Sequence, residues 1–187
     1  MTLPVSSWYL PAGGALLGLM AVAGLWSWYR RRDRLDLMLR KIAWKRLTDV
    51  VVPDDVDGEI HLDLVLLTAK GILVLEVRRA TGTLFWGDQL EYWALLDGRR
   101  RSQIRNPLPG LLAKRHAVHA LAPRVPVSGR VLLLGTVSIS GATPPGVVTA
   151  EQLLAEFPPH GRKPVPEALQ SAWAELSAQA RPLASSA

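Results

Sequence analysis

From Met1 to Tyr29 no side chain carries a charge, and then four arginines arrive within five residues, Arg30, Arg31, Arg32 and Arg34. A run of this kind is hard to bury in a water-soluble fold. Leu10 to Tyr29 is long enough as a helix to cross a hydrocarbon core of about 30 Å at roughly 1.5 Å per residue. Trp8 and Tyr9 stand before the run, and Trp26, Trp28 and Tyr29 close it, as the interfacial preference of aromatic rings requires. Nothing basic precedes it, so the arginines on its far flank place the C-terminal side in the cytoplasm. The sequence therefore predicts a single-pass anchor in the cell membrane over residues 1–29, with inner-leaflet lipids facing the arginines. A cleaved signal peptide is the competing reading, because Ala21-Val22-Ala23 before Gly24 resembles a cleavage site. Its leading segment would lack the usual Lys or Arg.

Behind the anchor, the chain of 187 residues has room for one domain of ordinary size. There is no cysteine, which excludes a disulfide framework, a thiolate zinc site and a cysteine nucleophile. The formal charge of +6 directs the protein toward anionic partners. No Gly-x-x-x-x-Gly-Lys loop, serine nucleophile elbow or dinucleotide fingerprint occurs, so nucleotide hydrolases and redox enzymes have no support and no small-molecule cofactor is expected.

Apolar periodicity predicts a helix over Asp33–Arg46, with a basic face made by Arg34, Arg40, Lys41, Lys45 and Arg46. Strands follow over Leu47–Val52, Glu59–Thr68 and Ile72–Arg79, the last two joined by the turn Ala69-Lys70-Gly71. Asp54, Asp55 and Asp57 lie in a turn whose spacing does not suit calcium. Short strands are expected at Thr83–Trp86 and Tyr92–Leu96, then a basic loop carrying Arg99, Arg100, Arg101 and Arg105. Asn106-Pro107 opens a helix to about Leu121, with proline where its missing N–H is harmless. A buried strand at Val131–Val137, a short helix at Glu151–Phe157 and an amphipathic helix at Glu167–Ala180 complete the order, ahead of a disordered tail. This mixture predicts an α/β (α+β mixed) domain with one central mixed sheet flanked by helices. The expected division is 1–29 anchor, 30–160 main domain, and 161–187 C-terminal helix and tail.

A glutamate inside the apolar strand Ile72–Arg79 needs an explanation, since a buried carboxylate is costly unless paired or bound to a metal. Alternation puts Glu76 and Arg78 on one face, and Asp63 on the neighbouring hairpin strand can share it. Two carboxylates there could hold Mg²⁺ and activate water against a phosphodiester. They could equally form an ionic network without chemistry. His61 shares the face of Asp63, where it lines the site or packs. His116 and His119 read as a surface pair on a basic helix.

The string His61-Leu62-Asp63-Leu64-Val65-Leu66-Leu67, followed by Lys70-Gly71-Ile72-Leu73-Val74-Leu75-Glu76-Val77-Arg78, resembles the nuclease-related domain, NERD. The likeness continues through Gly82, Trp93, Gly98 and Asn106-Pro107, over about Leu47–Leu121. It implies a divergent PD-(D/E)xK nuclease fold, with Asp63 and Glu76 as metal-binding and catalytic carboxylates and Arg78 as the third catalytic member. Arg78 stands where the family usually has lysine, and a planar guanidinium does not aim its donors as an ammonium does. Gly110 occupies a place where the family often has glutamine. The resemblance thus implies a partly degenerate site for Mg²⁺-dependent cleavage of DNA or RNA. The alternative is a non-catalytic domain that binds nucleic acid or protein at the membrane. In either case Arg99–Arg105, Arg34–Arg46 and Lys114-Arg115 are the expected phosphate contacts.

Overall fold

The computed structural model describes residues 35–54, 58–161 and 163–183. The expected membrane span, Arg30–Arg34 and the last four residues lie outside these. Among the described residues no helix is long and apolar enough to cross a membrane.

Residues 35–42 form helix α1. The helix expected to reach Arg46 stops there, and strand β1, Ala43–Pro53, begins at once. The reason is pairing: β1 runs antiparallel to β2, Glu59–Thr68, from Ala43 opposite Thr68 to Pro53 opposite Glu59. The apolar spacing of Ile42, Trp44 and Leu47 suits either period, and the long ladder decides for the strand.

Strand β3, Gly71–Arg79, pairs antiparallel with β2 and parallel with β7, Val127–Leu134. With β9, Val147–Val148, and β10, Arg181–Pro182, they form a six-stranded mixed sheet in the order β10-β1-β2-β3-β7-β9. Ile72 to Leu75 are all buried, as a strand with neighbours on both sides and layers on both faces requires. Gly71 makes this position attainable. It has φ +116°, and a Cβ there would lie 2.2 Å from the Pro126 carbonyl oxygen, which accepts a hydrogen bond from Ile72 N–H at 2.9 Å.

The expectation of one sheet is corrected by a second, four-stranded sheet. It comprises β4, Gly82–Phe85, β5, Tyr92–Asp97, β6, Arg100–Arg105, and β8, Val137–Ile139, in the order β6-β5-β4-β8. The stretch expected as a basic loop is therefore mostly strand β6, paired along its whole length with β5. The strand expected at Val131–Val137 starts earlier and ends at Leu134; Val137 belongs to the second sheet.

Helix α2, Leu108–Leu121, packs on β7 and β3 through Leu111, Ala117 and Val118. Asn106 prepares its start: the side-chain oxygen accepts from Leu108 N–H at 3.0 Å. Helix α3, Ala150–Glu156, opens on a capping box between Thr149 and Gln152. Helix α4, Glu167–Gln179, buries Leu169, Ala172, Trp173 and Leu176, in keeping with the amphipathic helix expected there.

Candidate functional site

Asp63 on β2 stands one step beyond the pair Leu64–Leu75, so the ladder brings it level with Glu76 on β3. Glu76 is only 3% exposed, because β7 runs parallel alongside with Val131 at its own register position. Burial of this carboxylate demands compensation. Arg78, two residues on along the same strand face, provides part of it: its Nη2 bonds Glu76 Oε1. Arg78 Nη1 also lies 3.9 Å from Asp63 Oδ2. The sequence-predicted trio is thus brought together.

A fourth member was not expected. Lys114, assigned from sequence to a basic surface, points inward from α2 and its side chain is 15% exposed. Its Nζ lies 3.6 Å from Asp63 Oδ2 and 3.5 Å from Glu76 Oε2. Leu111, Lys114 and Val118 share the helix stripe that faces the sheet. A lysine on that core-facing stripe is the signal that sequence reading passed over. Two carboxylates and two cations therefore balance, although Glu76 Oε2 is buried and makes no hydrogen bond.

His61 joins the cluster from β2. Its Nδ1 is 3.4 Å from Asp63 Oδ1, and its Nε2 is 3.5 Å from Asp49 Oδ1. Asp49 adopts φ +51°, a conformation that aspartate tolerates better than most residues. Among the described residues no group of three or more His, Asp and Glu side chains is arranged to hold a metal ion. His116 and His119 are exposed and remote in role, His116 lying 3.5 Å from Arg115 Nη2.

Glu76, Arg78 and Lys114 open into a cleft of about 530 Å³. Its other walls are the loop 88–91, Arg105 and the start of α2, including Gly110. Nothing lies within 4 Å of where a Gly110 side chain would begin, so glycine leaves the cleft wide at the position where the resemblance would have placed glutamine. Glu76, Arg78 and Lys114 thus line an open cleft, and Asp63 is tied to it through its contacts with Arg78 and Lys114.

A family model described as NERD, nuclease-related domain, matches residues 27–134. The chain belongs to the nuclease-related domain family. The NERD match takes in β1 to β7 and α2, and so spans Asp63, Glu76, Arg78 and Lys114. Beyond it lie β8 to β10, α3 and α4, although β9 and β10 complete the larger sheet and β8 the smaller. No curated protein and no solved structure matches the chain.

Proposed function

We propose that this NERD protein is a membrane-anchored nuclease that hydrolyses phosphodiester bonds with a divalent cation, Mg²⁺, at Asp63 and Glu76. The observation that carries the reading is Glu76 Oε2, a buried carboxylate oxygen with no hydrogen bond, facing Lys114 at the floor of an open cleft. Carboxylate oxygens are the hard donors Mg²⁺ takes, and one or two of them suffice when water and substrate phosphate complete the shell. Asp63 and Glu76 would hold the ion. Bound there, it would lower the pKa of a water and polarise the phosphoryl group.

The protein's own cations have separate roles in this reading. The Arg78 guanidinium, braced on Glu76, presents its remaining donors to phosphoryl oxygens as charge builds on them. The Lys114 ammonium is a compact charge on a flexible stem and supplies what a guanidinium cannot. It counterbalances the two carboxylates and turns to the scissile phosphate when they are otherwise engaged. His61 stands beside Asp63 on one side and Asp49 on the other.

Residues 1–29 serve as the anchor, on the strength of their uncharged run and the arginines that follow. The catalytic domain, proposed as 30–160, then works at the cytoplasmic face beside anionic lipid, with 161–187 as its C-terminal helix and tail. The charge balance of the four-residue cluster favours a second reading, a binding domain that keeps the nuclease fold without catalysis. Mn²⁺ binding by the full chain, followed by electron paramagnetic resonance, separates the two. Bound Mn²⁺ that disappears in Asp63→Ala and Glu76→Ala supports the nuclease; no bound Mn²⁺ in the parent favours the binding domain.

A further inference from the structure

Three of the six most exposed large apolar side chains among the described residues fall within eight positions: Phe85, Leu90 and Tyr92, exposed by 40%, 52% and 49%. The pairing of the second sheet explains where the two aromatic ones point. Leu84, Trp93 and Leu95 are buried on its inner face, and Ile104 pairs with Trp93. Alternation then sends Phe85, Tyr92, Arg101 and Arg105 to the outer face. Phe85 pairs with Ala94, Ala94 with Gln103, and Tyr92 with Arg105. Phe85 and Tyr92 are therefore diagonal neighbours, roughly 7–8 Å apart and separated by the small Ala94. No acidic residue sits on this face at any paired position of β4, β5 or β6. Glu91, beside it, makes one exposed contact with Arg105 at 3.9 Å, which is cheap to open.

We infer that this outer face is a platform for single-stranded nucleic acid, whose unstacked bases lie on Phe85 and Tyr92 while its phosphates follow Arg101 and Arg105. Aromatic rings on a sheet surface can engage bases only where these are free of a duplex stack, so the face selects a single strand. A hollow over Ala94, bordered by Phe85, Leu96, Arg101 and Gln103, gives room for a base. The direction of the strand follows from Arg105, which belongs both to this face and to the wall of the Glu76 cleft. A strand laid across the face from Arg101 toward Arg105 is led into the cleft that Glu76 lines. The inference rests on the nuclease reading for that destination, but its test does not.

The test is fluorescence anisotropy of a labelled thymidine-rich oligonucleotide with the full chain in neutral detergent. It is run with a chelator present, so that no cleavage intervenes, and beside the same sequence as duplex. The parent should bind the single strand more tightly than the duplex. The double variant Phe85→Ala/Tyr92→Ala should bind it about tenfold or more weakly, and Tyr92→Phe, which keeps the ring, should bind as the parent does. Both aromatic side chains are exposed, so the substitutions leave the core intact. Undiminished binding by the double variant, or equal binding of single strand and duplex, overturns the proposal. So does sedimentation showing that the double variant dissociates an oligomer of the parent, since the face would then join two copies. Because the chelator removes the metal throughout, failure of the cleavage reading leaves this result unaffected.

Discussion

Lys114 Nζ stands 3.5 Å from Glu76 Oε2 and 3.6 Å from Asp63 Oδ2, so one ammonium from α2 bridges two carboxylates from different strands. This contact ties the helix to the sheet at the floor of the cleft. It also sets lysine and divalent cation in competition for the same oxygens.

Replacing Lys114 by methionine leaves the stem and removes the charge. The Asp63–Glu76 pair then keeps Arg78, with His61 beside Asp63, and the variant should melt below the parent, by roughly 1–3 kcal/mol of stability. Added Mg²⁺ should recover more stability in Lys114→Met than in the parent, approaching about 2.7 kcal/mol at a hundredfold excess over the dissociation constant. Thermal melts with and without Mg²⁺ check both points, and equal gains would remove Lys114 from the competition.

Arg78→Ala should lower cleavage by about 10²-fold or more, because it removes donors aimed at charge that develops only in the transition state. Arg78→Lys should retain most of the rate, since an ammonium stands where the family usually has one. Single-turnover cleavage rates distinguish these outcomes from a binding defect.

Salt should weaken nucleic-acid binding steeply. For a single strand, Arg101→Gln and Arg105→Gln should each reduce the slope of log K against log salt by roughly 0.7. Equal slopes in parent and variants would mean that neither arginine meets a phosphate.

Gly71→Ala should destabilise the domain by roughly 2–4 kcal/mol. The added Cβ would meet the Pro126 carbonyl at 2.2 Å, on a backbone at φ +116°. Chemical denaturation measures the loss, and a change under 1 kcal/mol or so would mean the strand end can relax.

The β2–β3 hairpin was legible because its signals are local: a glycine turn between two apolar runs, one of which carries Glu76 and Arg78 at alternating positions. Asp63 opposite Glu76 follows from the same register. Lys114 was not legible, since which side of a helix faces a sheet depends on docking and a Lys-Arg pair reads as surface. Residues 43–46 were misread because the spacing of Ile42, Trp44 and Leu47 does not choose between helix and strand until β2 pairs with them. In β6 the arginines hid an alternation in which Ile104 points in while Gln103 and Arg105 point out. That β4, β5, β6 and β8 leave the main sheet to form another is a tertiary choice with no local signal.

Cleavage by the full chain tests the nuclease reading most directly. A labelled single-stranded oligonucleotide, its duplex and an RNA of the same sequence would be incubated with Mg²⁺ or Mn²⁺, beside Asp63→Ala and Glu76→Ala. Metal-dependent cleavage of the single strand, absent in both variants although they fold as the parent does, is the expected result. Absence of cleavage by the parent under every condition, or cleavage that survives in Glu76→Ala, would contradict the assignment of catalysis to Asp63 and Glu76.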